Sequence, residues 1–319
     1  MNNTNRLIVS HAPFVHVGSS VVERHWNIFA AALPAALFGC FLFGMPAAGV
    51  VALSVALCIF WEWLINRITR RETTIGDGHA ALMGLLCGMV LPATAPWWLV
   101  LVGSFLVMII GKHIFGGIGS NPFHPVALAM AIMMLSWPNY LDFNEALVHY
   151  NFDFSAMYPL TRYKFFGADA VADFSAIDFL MGRQIGGIGS VFGLGLIAGG
   201  LYLILRGFIR WEIAGSFLAG IFICATLFYG ANPGKYASPI FHLLTGYTLI
   251  GAVFLATEDS SSPVNFIPML IYGAMGGVLT VLIRTIGAWV DGVMLSILLI
   301  NTLGPLLDKI RPGAIGKVT

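Results

Sequence analysis

The chain has 319 residues, of which 58% are hydrophobic and only 10% are charged, with mean hydropathy +0.86 and a formal net charge of +1. Ordinary soluble domains carry about 25% charged residues, so this balance excludes a soluble globular protein and points to an all-α integral membrane protein. The near-zero charge gives no electrostatic footprint for nucleic acid. Cys40, Cys58, Cys87 and Cys224 all fall inside apolar stretches with no C-x-x-C spacing, which argues against zinc or iron–sulfur ligation.

A membrane-spanning helix needs about 20 apolar residues, and ten stretches fit: 28–45, 48–66, 78–92, 97–112, 124–138, 188–205, 212–229, 241–256, 265–284 and 287–305. The polar opening, 1–25, lacks the short apolar core and cleavage site of a secretory signal, so the first span is expected to be its own insertion signal. Arg6, Arg24, Arg67, Arg70, Arg71, Lys112, Arg206, Arg210, Lys309, Arg311 and Lys317 fall on one side. Arg162, Lys164, Arg183, Lys235 and Arg284 fall on the other. The preference of basic residues for the cytoplasmic side predicts both termini inside, with 309–319 a cytoplasmic tail.

The spans divide into a five-span repeat over 26–138 and a second over 188–308. An odd number of spans makes the second copy inverted. The stretch starting at His79 and the one starting at His242 are both short, Gly-interrupted and followed by a polar turn. Between the halves, 139–187 is an extracytoplasmic loop dense in aromatics and charges. It includes Asp142, Glu145, His149, Tyr150, Asp153, Tyr158, Arg162, Lys164 and Phe165. Connections this long in a compact bundle commonly carry a site.

The Gly/Pro-rich run from Gly111 to Pro125 interrupts two apolar segments. Lipid cannot satisfy exposed backbone, so such a break must be buried in protein or line a cavity, where membrane proteins place ligands and ions. Lys112 and His113 open it, with snorkelling or phosphate contact as the two readings of Lys112. Asp77 precedes the third span and suits a helix cap or a cavity-facing group. Glu258 and Asp259 follow a helix C-terminus, where carboxylates are disfavoured and need partners. Asp291 opens the last span as a cap or an ion-path acid. Asn301 suits interhelix bonding, and Glu62 an interfacial site or a pair with Arg67. The Gly-Gly-Ile-Gly runs at 116–119 and 186–189 follow no strand and are not dinucleotide fingerprints.

Several blocks in order resemble the D subunit of the Rnf complex (RnfD) and its relative, the B subunit of the sodium-pumping NADH:quinone oxidoreductase (NqrB). They are Asp77-Gly78-His79-Ala80 with Leu91-Pro92; Gly111 to Pro125; Ala256 to Pro263; and Ile283-Arg284-Thr285-Ile286-Gly287 through Asp291-Gly292-Val293 to Asn301 and Pro305. The resemblance implies an FMN-carrying membrane subunit of a complex in which electron transfer between ferredoxin and NAD(H) drives Na⁺ or H⁺ translocation. The partners implied are the A, B, C, E and G subunits of the Rnf complex, and the location is the bacterial inner membrane. In that family FMN is joined through its phosphate to a Thr in a motif close to S/T-x-A-T-P-L. The matching stretch here is Ser155-Ala156-Met157-Tyr158-Pro159-Leu160-Thr161, with Tyr158 at the Thr position and Thr161 the other hydroxyl. Arg162 and Lys164 are expected to pair the phosphate. Lys112, Asn121, Phe123 and His124 are further cofactor-binding candidates, with riboflavin as a possible second flavin. Asp77, Glu258, Asp259 and Asp291 are ion-path candidates. His124 stands where the family usually has Asn, and Glu258 where it has Asp. A small-solute transporter with inverted repeats is the alternative reading; the aromatic, basic outer loop is what a channel does not need.

Overall fold

The computed structural model describes residues 20–71, 74–144, 152, 154 and 157–310, and among these there are helices and turns but no strand. Arg6, Glu145, His149, Tyr150, Asp153, Ser155, Ala156, Arg311 and Lys317 lie outside the described residues.

Ser20 starts α1 (Val21–Phe43): its hydroxyl accepts the Glu23 N–H at 3.1 Å, satisfying one of the donors that a helix start leaves free. Gly44, at φ 72°, reverses the chain into α2 (Met45–Thr69), whose first turn carries Pro46, where no N–H is needed. Asp77 accepts the His79 N–H at 2.8 Å and so caps α3 (His79–Val90), every residue of which is buried. The next helix, α4 (Trp97–Phe105), continues as a π-helical stretch, Leu106–His113. After the polar break comes α5 (Pro125–Ser136). The loop between the halves holds α6 (Pro159–Phe166) and α7 (Ala176–Leu180). The second half contains α8 (Gly193–Leu205), α9 (Trp211–Ala231), α10 (Pro239–Leu244) and α11 (Thr248–Ile250). A π-helical stretch, Gly251–Leu255, extends α11, and α12 (Phe266–Thr285) and α13 (Val293–Leu307) follow.

Four of these helices, α1, α2, α9 and α12, are long and apolar enough to cross a membrane. The other apolar helices are shorter. A 12-residue helix such as α3 or α5 rises about 18 Å, against a hydrocarbon core of about 30 Å. These short helices are buried by their neighbours: α3 packs on α1 and α2, and α5 on the π-helical stretch of α4 and on α13. Their ends therefore meet protein instead of lipid, which is what a broken helix requires.

The bundle has two ends. At the first, where α1 begins, Arg24 pairs with Asp259 and Asn121 bonds Glu258. This joins the start of α1 to the connections before α5 and after α11. At the second, Phe38 stacks on Phe192 and the Tyr247 hydroxyl donates to the Val90 carbonyl at 2.7 Å. The most extensive helix contact among the described residues is between α9 and α12, where Gly273 and Gly277 lie on the α9 backbone. A Cβ on Gly277 would run into the Phe217 carbonyl. Small residues four apart are how helices approach closely when lipid supplies no hydrophobic drive. Gly277→Val should lower the thermal midpoint of the detergent-solubilised protein by about 5 °C or more. A fluorescence-detected melt that shows no change would remove this contact as the organising one of the second half.

Candidate functional site

At the first end, a buried cluster forms under the break between α4 and α5. The Lys112 ammonium lies 2.6 Å from Glu62 Oε2, and His113 Nε2 lies 3.4 Å from the same oxygen. Thr74 donates to the other carboxylate oxygen, and Asn66 donates to Thr74 at 3.0 Å. Glu62 is thus held by Lys112 across two helices and not by Arg67. Five residues along a helix turn the side chain about 140° away, so Glu62 faces the core while Arg67 is exposed. Lys112 does not snorkel: it is buried and its charge is met by Glu62 inside the protein.

Beside this cluster lies a cavity of about 300 Å³ lined by His25, His79, His124, Thr257, Glu258 and Asp259, among others. His25 Nδ1 lies 3.0 Å from the Asp77 carbonyl; a carbonyl only accepts, so Nδ1 carries the proton. Its ring meets His79 edge-on, with centroids 5.0 Å apart. His124 Nδ1 accepts from the backbone of Val126 at 3.2 Å and Ala127 at 3.4 Å. His124 is therefore the N-cap of α5, a task that Asn also performs. Its N–H must then sit on Nε2, which is buried without a partner among the described atoms, as is His79 Nδ1. Phe123 contributes its carbonyl, which accepts from Asn121 at 3.1 Å. Asn301, with its amide oriented to satisfy its neighbours, accepts from the backbone N–H of His124 at 2.8 Å and donates to the Ile297 carbonyl at 2.8 Å.

Glu258 lies in the connection between α11 and α12, outside the helices, and is held by neutral donors: Asn121 at 2.9 Å, Ser260 at 3.0 Å and Ser261 at 2.9 Å. Burial pushes its carboxyl up to about 7. Its neighbour Asp259 is more exposed and takes Arg24 as partner. The two acids after the helix C-terminus thus find compensation in different ways.

At the second end, the centre is a buried ion pair. Arg284 Nη2 lies 2.9 Å from Asp291 Oδ1 and Nε lies 3.2 Å from the same oxygen. The remaining guanidinium N–H groups reach the His242 carbonyl at 2.8 Å, the Thr245 carbonyl at 3.2 Å and the Thr248 hydroxyl at 2.9 Å. Asp291 also accepts from the Val293 N–H at 3.1 Å, capping α13, and from the Tyr247 N–H at 2.8 Å. Gly246, at φ 65°, separates α10 from α11; any side chain there would collide with Asp291 and Arg284.

The Tyr158 hydroxyl lies 3.4 Å from Asp291 Oδ2, and burial pushes it well above the usual phenol range, so it stays neutral. Its ring packs on Phe143 at 4.9 Å. Thr161 is half-buried and lines a cavity of about 290 Å³ together with Phe143, Tyr158, Phe165, Tyr247 and Trp289. Lys164 spends its ammonium on three carbonyls at the end of α12: Arg284 at 3.2 Å, Gly287 at 2.5 Å and Trp289 at 2.7 Å. Arg162 pairs with Asp173 at 3.1 Å and lies over the Phe174 ring. The structure therefore gathers Tyr158, Thr161 and Asp291 at one cavity, and turns Arg162 and Lys164 elsewhere.

The matching family model is that of the NQR2, RnfD, RnfE family, over residues 8–316. The chain belongs to this family. The D subunit of the proton-translocating ferredoxin:NAD(+) oxidoreductase complex of Clostridium ljungdahlii is 34% identical to it, over 96% of this chain and 94% of that protein. The D subunit of the Na(+)-translocating ferredoxin:NAD(+) oxidoreductase complex of Acetobacterium woodii is 33% identical, over 100% of this chain and 98% of that protein. The corresponding D subunit of the ion-translocating oxidoreductase complex of Pectobacterium carotovorum is 32% identical, over 97% and 98%. These relatives are named for different ions, so kinship does not choose between Na⁺ and H⁺.

Sequence reasoning pointed to Asp291 but not to its pairing with Arg284, nor to Tyr247, His242 and Thr248 around them. The available signal was an arginine near a helix end with an acid seven residues on, across a Gly-containing turn. Removing one partner of a buried ion pair costs about 3–5 kcal/mol. Arg284→Met should lower the melting midpoint sharply, while Arg284→Met with Asp291→Leu should recover much of the loss, as read by a thermal melt in detergent. For Glu258, a carboxyl raised in the folded state stabilises the fold fully below its ordinary value of 4.5, and that contribution is lost as pH rises through about 7. The melting midpoint should fall over that interval, and Glu258→Gln should flatten the slope; an unchanged slope would show that Glu258 does not titrate there.

Proposed function

We propose that this chain is the flavin-carrying membrane subunit of an Rnf-type complex that couples electron transfer between ferredoxin and NAD(H) to Na⁺ or H⁺ translocation. The A, B, C, E and G subunits of that complex are its partners, the first end of the bundle faces the cytoplasm, and the two halves form inverted five-helix repeats. The observation that carries this reading is the pair of cavities at opposite ends, one with unpartnered imidazole nitrogens at His79 and His124 and one walled by Phe143, Phe165, Tyr247 and Trp289. Flat, hydrogen-bonding rings suit both sites.

The second-end residues fit FMN in one way and resist it in another. An ester at Tyr158 would place a phosphate against Asp291, with each nitrogen of Arg284 already engaged by protein oxygens and no Lys or Arg between residues 139 and 161. Thr161 fits better: its side chain lines the cavity, and Arg162 follows it in sequence. The exposed pair Arg162 makes with Asp173 is the weak kind that a phosphate can replace. When bound, the flavin supplies one- and two-electron chemistry. The protein's part is to wall the ring with aromatics, exclude water and hold Asp291 neutralised by Arg284. At the first end, the His124 Nε2–H is a fixed donor toward a ring carbonyl, which suits a phosphate-free flavin such as riboflavin. Asp77, Glu258 and Asp259 line or border that cavity and, with Asp291 at the far end, are the ion-path candidates.

The transporter reading shares the broken helices but gives no role to the aromatic wall. The test is in-gel flavin fluorescence and peptide mass on the purified complex. A flavin-phosphoryl mass on the peptide containing Thr161, lost in Thr161→Ala and kept in Tyr158→Phe, is the expected result. Flavin released on denaturation would mean FMN bound without an ester. A well-folded preparation with no flavin in either fraction sinks the electron-transfer reading in favour of transport.

A further inference from the structure

The C-terminal end of α2 carries Arg67, Arg70 and Arg71 around a surface cleft of about 500 Å³ that Trp63 and Asn66 also line. The bias of basic residues toward one side of a membrane accounts for arginines at such a place. It does not account for three features of these.

The first is charge. Among the described residues no carboxylate pairs with any of the three: Glu62, five residues before Arg67, is buried and taken by Lys112 and Thr74. The sequence carries Glu72 beside them, outside the described residues, and one carboxylate cannot neutralise three guanidiniums. The second is backbone. Arg70, at φ 53°, is the one non-glycine among the described residues with positive φ. It ends α2 in the left-handed conformation that Gly or Asn adopts with least strain, and both its N–H and that of Arg71 bond the Asn66 carbonyl. The chain accepts strain in order to place an arginine there. The third is position. Arg71 Nη1 donates to the Gly116 carbonyl at 3.2 Å, fixing one wall of the cleft to the break between α4 and α5. Trp63, Phe60 and Ile68 stand exposed on the same helix, an apolar flank of the kind that faces lipid, and Trp63 lies within two helical turns of the end of α2.

We propose that this cleft binds the phosphate headgroup of an anionic phospholipid in the leaflet at the first end of the bundle. Arg67, Arg70 and Arg71 bond the phosphate oxygens and Trp63 sits at the glycerol level. Three arginines in a fixed cluster suit phosphate oxygens through forked, two-point bonds that lysines cannot make. The apolar flank favours a lipid over a free anion or an acidic soluble protein, which would not need Trp63 and Phe60 beside the charge.

The test uses the intact complex, exchanged into phosphatidylcholine nanodiscs with or without phosphatidylglycerol, with bound lipid read by native mass spectrometry. The wild-type complex should retain phosphatidylglycerol on this subunit. Arg67→Gln with Arg70→Gln and Arg71→Gln should weaken retention on the order of a hundredfold, each basic side chain contributing about a factor of five at an anionic surface. Should that triple variant fail to assemble, Arg70→Gly, which relieves the backbone while removing one charge, should still weaken retention about fivefold. Arg67→Lys with Arg71→Lys, which keeps the charge, should fall between. Equal retention by Arg70→Gly and wild type overturns the proposal. So does displacement of the lipid signal by inorganic phosphate alone, which marks a free-anion site, or loss of a soluble subunit with lipid retention unchanged, which marks a protein contact.

Discussion

A guanidinium sealed from water must find an oxygen for its N–H groups or destabilise the fold around it. Arg284 meets that demand by drawing four segments to one point: the end of α10, the Thr245–Tyr247 turn, the start of α11 and the acid that caps α13. Much of the second end follows. Gly246 is forced because nothing larger fits beside the pair. Tyr247 is fixed by its own N–H on Asp291, and its hydroxyl then reaches α3 in the other half of the chain. The aromatic wall of the second cavity is therefore set by an ion pair that lies behind it.

The first end meets the same demand at several points instead of one. Lys112 and Glu62 neutralise each other, and Glu258 is surrounded by amide and hydroxyl donors alone. Two of the three imidazoles around the cavity are oriented by backbone, His25 through the Asp77 carbonyl and His124 through two α5 amides. A ring whose tautomer is settled by the helix it caps presents a donor of known direction. That is a form of preorganisation that costs the site no further ordering. The two ends thus differ in kind: one buried arginine clasp orders the second, while the first combines two separate ion pairs, Lys112–Glu62 and Arg24–Asp259, with amide, hydroxyl and imidazole donors around its cavity.

Much of the architecture was legible from hydropathy alone. The stretches 212–229 and 265–284 fall within a residue or two of α9 and α12, because long helices facing lipid must be apolar along their whole length. What hydropathy cannot show is which apolar segments are sheathed by protein. The α3 segment reads as a short, Gly-interrupted span, yet nothing in its hydropathy says that all 12 of its residues are buried. The site residues were legible as types and in part as places: Asp77 as a cap, Asn301 as an interhelix bond, and Glu258 and Asp259 as acids needing partners. The partners were not legible. Glu62 and Lys112 are fifty positions apart, and Arg284 meets Asp291 only because the chain turns sharply between them. Lys164, which the family resemblance made a phosphate partner, gives its ammonium to three carbonyls at and beyond the end of α12, contacts that depend on where α12 stops.

The π-helical stretch that ends α4 bears on the first-end cluster in a way that residue identity does not. A widened turn holds one residue more than an α-turn, and each residue rotates the side chains beyond it by about 100°. Lys112 and His113 lie within that stretch. Had the helix stayed regular, their heads would point about a quarter-turn away from Glu62, toward neighbouring helices or lipid. The pairing is thus encoded by helical phase as well as by charge. A chain that kept every residue but wound Leu106–Ile110 as a regular α-helix would leave Glu62 facing an empty place, whereas losing one apolar residue there would remove the widened turn and keep Lys112 in phase.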